Sequence, residues 1–423
     1  MKRAPILAAA VIVASQQNAV AQSRADIDQA RTAMRTAASA LKEKNLGLYR
    51  ESLQKVVALR PDYPGGIYAL AQAYAREGNA QNALEQLELL ARMSIEFGPA
   101  EDSVFTGIAS SDRFRAVLER EKQNLKPINR ATPSDSFKLE LFHPDGVTYD
   151  AQQRRFCLGS VRLRKVSCKN SDGTIVDYGS NAGLWSVLGV AAAPNGHIWL
   201  ATTALPETPG FTKELTGKTA LVEIDPVSNT VLNRVAPPND SLTHSFGDIA
   251  VAPDGSIIVS DGGGTIYRFR AGKFEPLGAP GSWVSPQGIT FSADGKHLFI
   301  ADYSRGVFRV DPATGVATQL SAPPGTTLLG IDGLSFHNGA LIGIQNGIRP
   351  YRVVRLPLDA TASRIKAVEV LESNHPLFDE PTTGVVIGDR YFFIANSHWP
   401  SFAEGTTPKH AVSAPLLMVL PLR

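Results

Sequence analysis

The chain has 423 residues, of which 43% are hydrophobic, and its 42 basic and 40 acidic side chains leave a formal net charge of +2. This length exceeds that of an ordinary single domain, so we expect two domains. The sequence contains no basic run interleaved with aromatic residues and no internal apolar run of about 20 residues, which argues against nucleic-acid binding and against a membrane span.

The first 21 residues have the features of a secretory signal peptide. Lys2 and Arg3 form a charged start, residues 5–14 are apolar, and Ala19-Val20-Ala21 supplies the small residues of a cleavage site. The apolar stretch is too short for an anchored helix, and no Cys follows it as a lipid acceptor. We therefore expect a mature chain that starts at Gln22 and is periplasmic or secreted.

Residues 22–125 have a helical pattern, with apolar residues at spacings of three and four and a break at Gly78-Asn79. Residues 60–90 resemble a tetratricopeptide repeat. The matching positions are Ile67, Leu70, Ala71, Tyr74, Gly78, Ala83, Leu87 and Leu90. The resemblance implies paired helices with a concave face for a peptide. The alternative is an arm that braces the rest of the chain.

After a linker at residues 126–135, rich in Pro, Ser and Thr, the second domain over residues 136–423 repeats one pattern. Five stretches consist of an apolar strand, a two-residue turn and a second apolar strand. Their turns are Asn195-Gly196, Asp254-Gly255, Asp294-Gly295, Asn338-Gly339 and Gly388-Asp389. A sixth, looser copy starts at Asp145. The spacing of roughly 40 to 60 residues predicts the blades of a β-propeller, so the fold class is mainly β with a small helical domain in front.

Two segments outside the repeats are predicted to close the ring. Residues 137–142 (FKLELF) alternate like a strand, and residues 414–422 (APLLMVLPL) predict another strand. Because open sheet edges invite misassembly, we expect both segments to complete one shared blade. Separately, the long loop at residues 205–216 is predicted to overhang the channel mouth and to shape a pocket.

The chain has two cysteines, Cys157 and Cys168, which fall on two strands of one predicted hairpin. Export permits a disulfide between them. Two small buried residues are an equally good interpretation, and the sequence leaves both open. Two cysteines without paired histidines give no zinc signature.

In all but one of the predicted blades, a polar residue precedes the inner strand. These positions are Asp145, Leu188, Gly247-Asp248, Gln287, Asp332 and Thr383. In a propeller they meet at one mouth of the channel, where the carboxylates repel one another unless a divalent cation neutralises them. Ca²⁺ suits such oxygen ligands, and Mg²⁺ or Mn²⁺ would also be served. The alternative is that each Asp caps its own turn, which we expect of Asp261 and Asp302.

The segments HPDGVTYDAQQRRFCLGSV, SPQGITFSADGKHLFIADY and IDGLSFHNGALIGIQNG resemble the SMP-30/gluconolactonase group of six-bladed propellers, from about residue 136 to the C-terminus. The resemblance implies a divalent-metal-dependent hydrolase of a lactone or related ester. It implies metal ligands at Asp145, Gln287 and Asp332, and a substrate-contacting residue at Asp248. Two ligands depart from the family pattern, since Asp145 stands for Glu and Gln287 for Asn.

For catalysis, the resemblance implies that Asp332 or Asp248 takes a proton from the attacking water. His398 is a further candidate base, and His244 is a weaker one. The competing interpretation is a non-catalytic propeller that binds a small ligand or a protein. The expected partner is therefore a small lactone or ester, or a peptide on the helical arm.

Overall fold

The computed structural model describes residues 22–402 and 405–423, so the predicted signal peptide lies outside the described residues. The described chain comprises five N-terminal helices followed by a β-propeller of six blades, and the predicted fold class is confirmed. Within the described ranges, no helix has the length and apolar character needed to cross a membrane.

The helical region packs as successive neighbours around an apolar interior. Its helices are α1 (Arg24–Lys42), α2 (Leu46–Leu59), α3 (Pro64–Arg76), α4 (Ala80–Arg92) and α5 (Asp112–Asn124), with a 3-10 turn at Ser103–Ile108. Ser23, Asn45, Asn79 and Ser111 cap four helix starts by accepting hydrogen bonds from first-turn N–H groups. That these helices form tetratricopeptide repeats stays a prediction.

The helical arm docks on the propeller through charged side chains that bind backbone carbonyls. Arg60 donates to the carbonyl oxygen of Ser304 at 2.6 Å. From the propeller side, buried Arg352 donates to the carbonyls of Met93 at 3.2 Å and Ser94 at 2.8 Å. These contacts tie the arm to two blades and favour its interpretation as a brace.

Six four-stranded antiparallel sheets form the propeller. A strand β1 (Thr132–Ser136) precedes five blades formed by consecutive strands. These are β2 (Pro144–Asp150), β3 (Arg155–Ser160), β4 (Val166–Lys169) and β5 (Ile175–Tyr178) in blade 1; β6 (Ser186–Ala192), β7 (Ile198–Thr203), β8 (Thr219–Asp225) and β9 (Thr230–Val235) in blade 2; β10 (Phe246–Val251), β11 (Ile257–Asp261), β12 (Thr265–Arg270) and β13 (Lys273–Pro276) in blade 3; β14 (Pro286–Phe291), β15 (Leu298–Asp302), β16 (Gly306–Val310) and β17 (Ala317–Gln319) in blade 4; and β18 (Ile331–His337), β19 (Ala340–Gln345), β20 (Arg352–Pro357) and β21 (Glu369–Ser373) in blade 5. The predicted two-residue turns all lie between the first and second strands of their blades.

Both ends of the propeller segment contribute to blade 6. Its strands are β22 (Gly384–Ile387), β23 (Arg390–Ile394), β24 (Leu416–Pro421) and β1, in that spatial order. A short helix α6 (Trp399–Phe402) lies between β23 and β24. The shared closing blade is as predicted, but its N-terminal strand overlaps the end of the predicted linker instead of lying at residues 137–142. The apolar alternation there reflects anchoring, because Phe137 and Phe142 are buried in the core between blades 6 and 1.

Cys157 and Cys168 form a disulfide across blade 1. They are directly paired residues on β3 and β4, their Cα atoms are 4.0 Å apart, and both are fully buried. Of the two interpretations that the sequence left open, the structure therefore has the disulfide.

Candidate active site at the propeller mouth

A shared irregularity at the start of the inner strands positions the site residues. In β2, β6, β10, β14 and β18, two residues near the strand start are left out of the pairing with the second strand. The second of the two is Gly in four blades: Gly146, Gly189, Gly288 and Gly333. A Cβ atom at these positions would lie 2.1 to 2.5 Å from a backbone oxygen of the next blade. Gly therefore permits the close approach of neighbouring inner strands, and the bulge re-aims the residue before it.

The first residue of the bulge faces one cleft in four blades. Asp145, Leu188, Gln287 and Asp332 all line a cleft with a volume of about 580 Å³. The remaining lining residues are Leu205, Glu207, Ser285, Tyr303, Asn346, Glu380, Trp399 and Pro400. The three residues predicted as metal ligands thus share one cavity, and their binding of a metal stays a prediction.

Asp248 lines a different cavity from the predicted metal ligands. In blade 3 the bulge reads Gly247-Asp248, so Asp248 occupies the position of Gly in the other bulged strands. It lines a narrow cavity of about 70 Å³ together with Gly146, Gly288 and Gly333. Because these glycines directly follow cleft residues along the chain, the narrow cavity adjoins the cleft. Asp248 Oδ2 is buried there and has no hydrogen-bond partner among the described residues.

The carboxyl groups at this mouth raise one another's pKa. Burial, with a contribution from Glu380, raises the pKa of Asp145 to about 6. Burial and the charge of Asp145 raise the pKa of Asp248 to about 7. The pKa of Asp332 lies well above its usual value because of burial and the nearby charges of Asp145 and Asp248. Deprotonating all of them at once is therefore unfavourable without a neutralising partner.

Neutral donors supply the side-chain hydrogen bonds of the two rim aspartates. Trp399 Nε1 donates to Asp145 Oδ1 at 2.8 Å. Asn346 Nδ2 donates to Asp332 Oδ2 at 2.7 Å, and Tyr303 donates to Asn346 Oδ1 at 3.0 Å. Within the described part of the chain, no Lys, Arg or His is paired with either carboxyl group. Their negative charge is available to a ligand.

The chemistry of these donors fits a hard cation with oxygen ligands. Asp145 and Asp332 offer carboxylate oxygens, and Gln287 offers an amide oxygen in the same cleft. Among residues 22–402 and 405–423, no group of three His, Cys, Asp or Glu side chains is arranged to hold a metal. The candidate set therefore depends on the amide of Gln287 as its third protein ligand.

His398 does not line the cleft. Its Nδ1 is hydrogen-bonded to Asp379, and its Nε2 accepts from Asn396 Nδ2 at 3.1 Å, so the buried ring is held on both sides. It directly precedes Trp399, and its contacts are those of a positioning residue. A catalytic role for His398 stays a prediction. His244 is likewise held between Asp261 and Asp240.

The prediction that two aspartates serve their own turns is confirmed. Asp302 accepts from the backbone N–H groups of Val284 at 2.9 Å and Ser304 at 3.1 Å. Asp261 accepts from the N–H groups of Ser245 at 2.7 Å and Gly263 at 3.0 Å. Both carboxylates are fully buried.

Two long loops add lining residues that the repeat pattern does not contain. The loop between β7 and β8 contributes Leu205 and Glu207, which agrees with the prediction that residues 205–216 shape a pocket at the channel mouth. The loop between β23 and β24 contributes Trp399 and Pro400, which the sequence analysis did not assign to the site. The length of this second loop could have indicated that it contributes to the site, because the corresponding connection in blades 3 and 4 is only three residues long.

No family model and no curated protein matches the chain. Solved structures with similar folds include a gluconolactonase from Xanthomonas campestris (15% identity, 70% of this chain, 99% of that chain, TM-score 0.48). They also include the calcium-binding protein regucalcin from Agrobacterium tumefaciens (16%, 69%, 93%, 0.49) and virginiamycin B lyase from Staphylococcus aureus (18%, 63%, 82%, 0.44). At these identities and TM-scores, the similarity carries no argument about reaction or ligand.

Proposed function

We propose that this protein is an exported, divalent-metal-dependent hydrolase that opens a lactone or a related ester at the propeller mouth. The observation that carries the proposal is the convergence of Asp145, Gln287 and Asp332, from three blades, on one cleft. Both carboxyl groups have raised pKa values and lack a cationic partner among the described residues. A divalent cation is the simplest compensation, and Ca²⁺ suits this mixture of carboxylate and amide oxygens best.

The sequence resemblance of residues 136–423 to the SMP-30/gluconolactonase group supports the reaction class. The two departures from the family pattern act in opposite directions, because Asp145 is one methylene shorter than Glu and Gln287 is one methylene longer than Asn. The two changes in reach offset each other, so Asp145 and Gln287 would still hold the cation together with Asp332.

When bound, the cation would polarise the substrate carbonyl and stabilise negative charge on its oxygen. Asp248 is suited to accept a proton at Oδ2, because that atom has no hydrogen-bond partner in the described part of the chain and the pKa of Asp248 is raised to about 7. Asp332 suits the role of ligand better, since Asn346 already donates to its Oδ2. Trp399 fixes the orientation of the Asp145 carboxyl group.

Apolar side chains supply a binding surface for the rest of the substrate. Leu188, Leu205 and Pro400 line the same cleft as the carboxyl groups. They would contact the carbon skeleton of the substrate and displace water from the reacting carbonyl. The combination of apolar walls with a few polar groups is typical of small-molecule sites.

Calorimetric titration with Ca²⁺, Mg²⁺ and Mn²⁺ tests the cation site directly. The parent protein should bind at least one of these ions, and Asp332→Asn should weaken binding by about 100-fold because it removes a ligand charge without changing the side-chain size. Asp294→Asn is the matched control, since Asp294 lies in an exposed hairpin turn of blade 4. Equal affinity in the parent and in Asp332→Asn would overturn the cation site.

Activity is tested with a panel of sugar lactones, acyl lactones and aryl esters, by following acid release. Turnover should require the bound ion, disappear with a chelator and fall to background in Asp332→Asn, while Asp294→Asn keeps parent activity. If the ion binds but no member of the panel reacts, the hydrolase proposal fails and a non-catalytic binding propeller takes its place.

A further inference from the structure

The cleft carries more negative charge than the proposed cation would neutralise. Four carboxyl groups line it, from Asp145, Glu207, Asp332 and Glu380. Of the described residues that line it, none is Lys, Arg or His. A divalent ion held by Asp145 and Asp332 offsets their two charges. Glu207 and Glu380 then remain as two acidic groups to which the proposed reaction assigns no role.

Glu207 is held in place, although it lies on a long loop. The next residue, Thr208, is buried, and its hydroxyl oxygen lies 2.6 Å from Ser186 Oγ at the start of β6. Thr208 Oγ1 also accepts from the backbone N–H of Leu205 at 2.9 Å. The turn that carries Glu207 is therefore fixed to an inner strand, and partial burial raises the pKa of Glu207. Within the described residues, Glu207 forms no ion pair.

Glu380 also lines the cleft with a carboxyl group that forms no ion pair within the described residues. Its Oε2 accepts from the Tyr351 hydroxyl at 3.2 Å. Burial raises the pKa of Glu380, and the nearby charge of Arg349 offsets part of that rise. Arg349 stacks on the ring of Tyr351, with its guanidinium carbon 3.7 Å from the ring centroid, and does not line the cleft. The nearest donor to Glu380 is thus a neutral hydroxyl group.

Two independent features show that the acidic cleft is built to hold a ligand. Its volume of about 580 Å³ and its aromatic residues Tyr303 and Trp399 suit a small organic molecule. In the adjoining narrow cavity, Asp248 Oδ2 is buried without a partner among the described residues. Carboxylates combined with aromatic side chains are the groups that recognise quaternary ammonium ligands.

We propose that the cleft prefers an ester or lactone whose non-reacting part carries a positive charge, and that Glu207 is the specificity-determining residue for that charge. The reaction rests on the proposed function. The charge preference is a property of binding and is measured without turnover. An anionic substrate of equal size would face repulsion from Glu207 and Glu380.

The test compares two esters of the same shape in the presence of Ca²⁺, and the parent and every variant carry Asp248→Asn so that the proposed proton acceptor is absent and the esters stay intact. Acetylcholine carries a quaternary nitrogen where 3,3-dimethylbutyl acetate has a neutral carbon. Calorimetry on the parent protein should show at least about tenfold tighter binding of acetylcholine. Glu207→Gln should reduce this preference to about threefold or less and leave the affinity for the neutral ester unchanged. Glu214→Gln is the matched control, because Glu214 is an exposed carboxylate of the same loop outside the cleft.

Equal or undetectable binding of both esters by the parent overturns the charge preference. A preference that survives in Glu207→Gln overturns the assignment to Glu207. The two proposals fail separately. Charge-selective binding without turnover of any lactone or ester would refute only the proposed hydrolase function. Turnover with equal affinity for both esters would refute only the charge preference.

Discussion

Two pairs of aspartates at the same face of the propeller have opposite surroundings. Asp261 and Asp302, at the ends of second strands, are fully buried and accept several hydrogen bonds, and Asp302 is also paired with the Arg305 guanidinium. Asp145 and Asp332, at the starts of inner strands, each receive one side-chain hydrogen bond from a neutral group. The charge and hydrogen-bonding capacity of the first pair are satisfied by groups of the protein itself. The second pair has unused charge, which distinguishes a binding site from a structural cap.

The largest expected effect is the loss of stability when Asp302 is replaced, because its charge and hydrogen bonds are satisfied within the protein. Asp302→Ala leaves the Arg305 charge buried and unpaired and removes acceptors for two backbone N–H groups. We expect the free energy of unfolding to fall by about 3 to 5 kcal/mol. Denaturant unfolding measures the loss, with exposed Glu275→Gln as a control that should stay within about 0.5 kcal/mol of the parent. A loss below about 1 kcal/mol would contradict the distinction between the two pairs.

The second prediction concerns the incomplete pair. A divalent cation at 100 times its dissociation constant should raise the free energy of unfolding of the parent by about 2.7 kcal/mol. Asp332→Asn should lose this gain, whereas Asp302→Ala should keep it despite its lower stability. Unfolding curves in calcium and in chelator give both values. A gain that disappears in Asp302→Ala would show that the two pairs are not independent.

The third prediction uses pH in the absence of metal. Because the pKa of Asp248 is raised to about 7 in the folded protein, the folded state holds a proton that the unfolded state releases above about pH 4. This contribution to stability is present at low pH and is lost as the pH rises through 7. The Asp248→Asn variant has no titrating group at this position. Its free energy of unfolding should exceed that of the parent by about 2 kcal/mol at pH 8 and match it near pH 4. The value of about 2 kcal/mol is half of that given by the full pKa difference, because water in the channel screens the charge. Urea unfolding at both pH values tests this, and a pH-independent difference would refute it.

The smallest expected effect comes from the single donor to Asp145. Trp399→Phe keeps an aromatic ring and removes the Nε1–H group. The free energy of unfolding should fall by about 1 kcal/mol, the usual contribution of one hydrogen bond. Thermal unfolding in chelator measures it. A loss as large as that of Asp302→Ala would mean that Asp145 is also a structural cap.

The repeats made much of the fold predictable. Turns such as Asp254-Gly255 and Asn338-Gly339 contain the residues that adopt positive φ, so hairpins and blades followed from them. The closing strand was misplaced because Phe137, Leu139 and Leu141 alternate as in a strand, whereas Phe137 and Phe142 anchor a connection in the core. Burial in the core and strand pairing impose the same apolar pattern over so short a segment.

Repetition also decided which site residues could be predicted. Asp145, Gln287 and Asp332 occupy equivalent positions before inner strands, so the shared cleft followed from their alignment. Glu207 and Trp399 lie on loops without counterparts in other blades. The repeat pattern therefore does not predict that their side chains line the cleft. His398 shows the same limit, since only the fold reveals that its ring is turned toward Asp379.

The pairing of β1 with β24 has a consequence for folding. Along the chain, β1 precedes the five blades formed by consecutive strands, and β24 follows them. The ring therefore closes only when two segments on opposite sides of those five blades meet. Until they pair, β23 has an exposed edge that could pair with another unfolded chain.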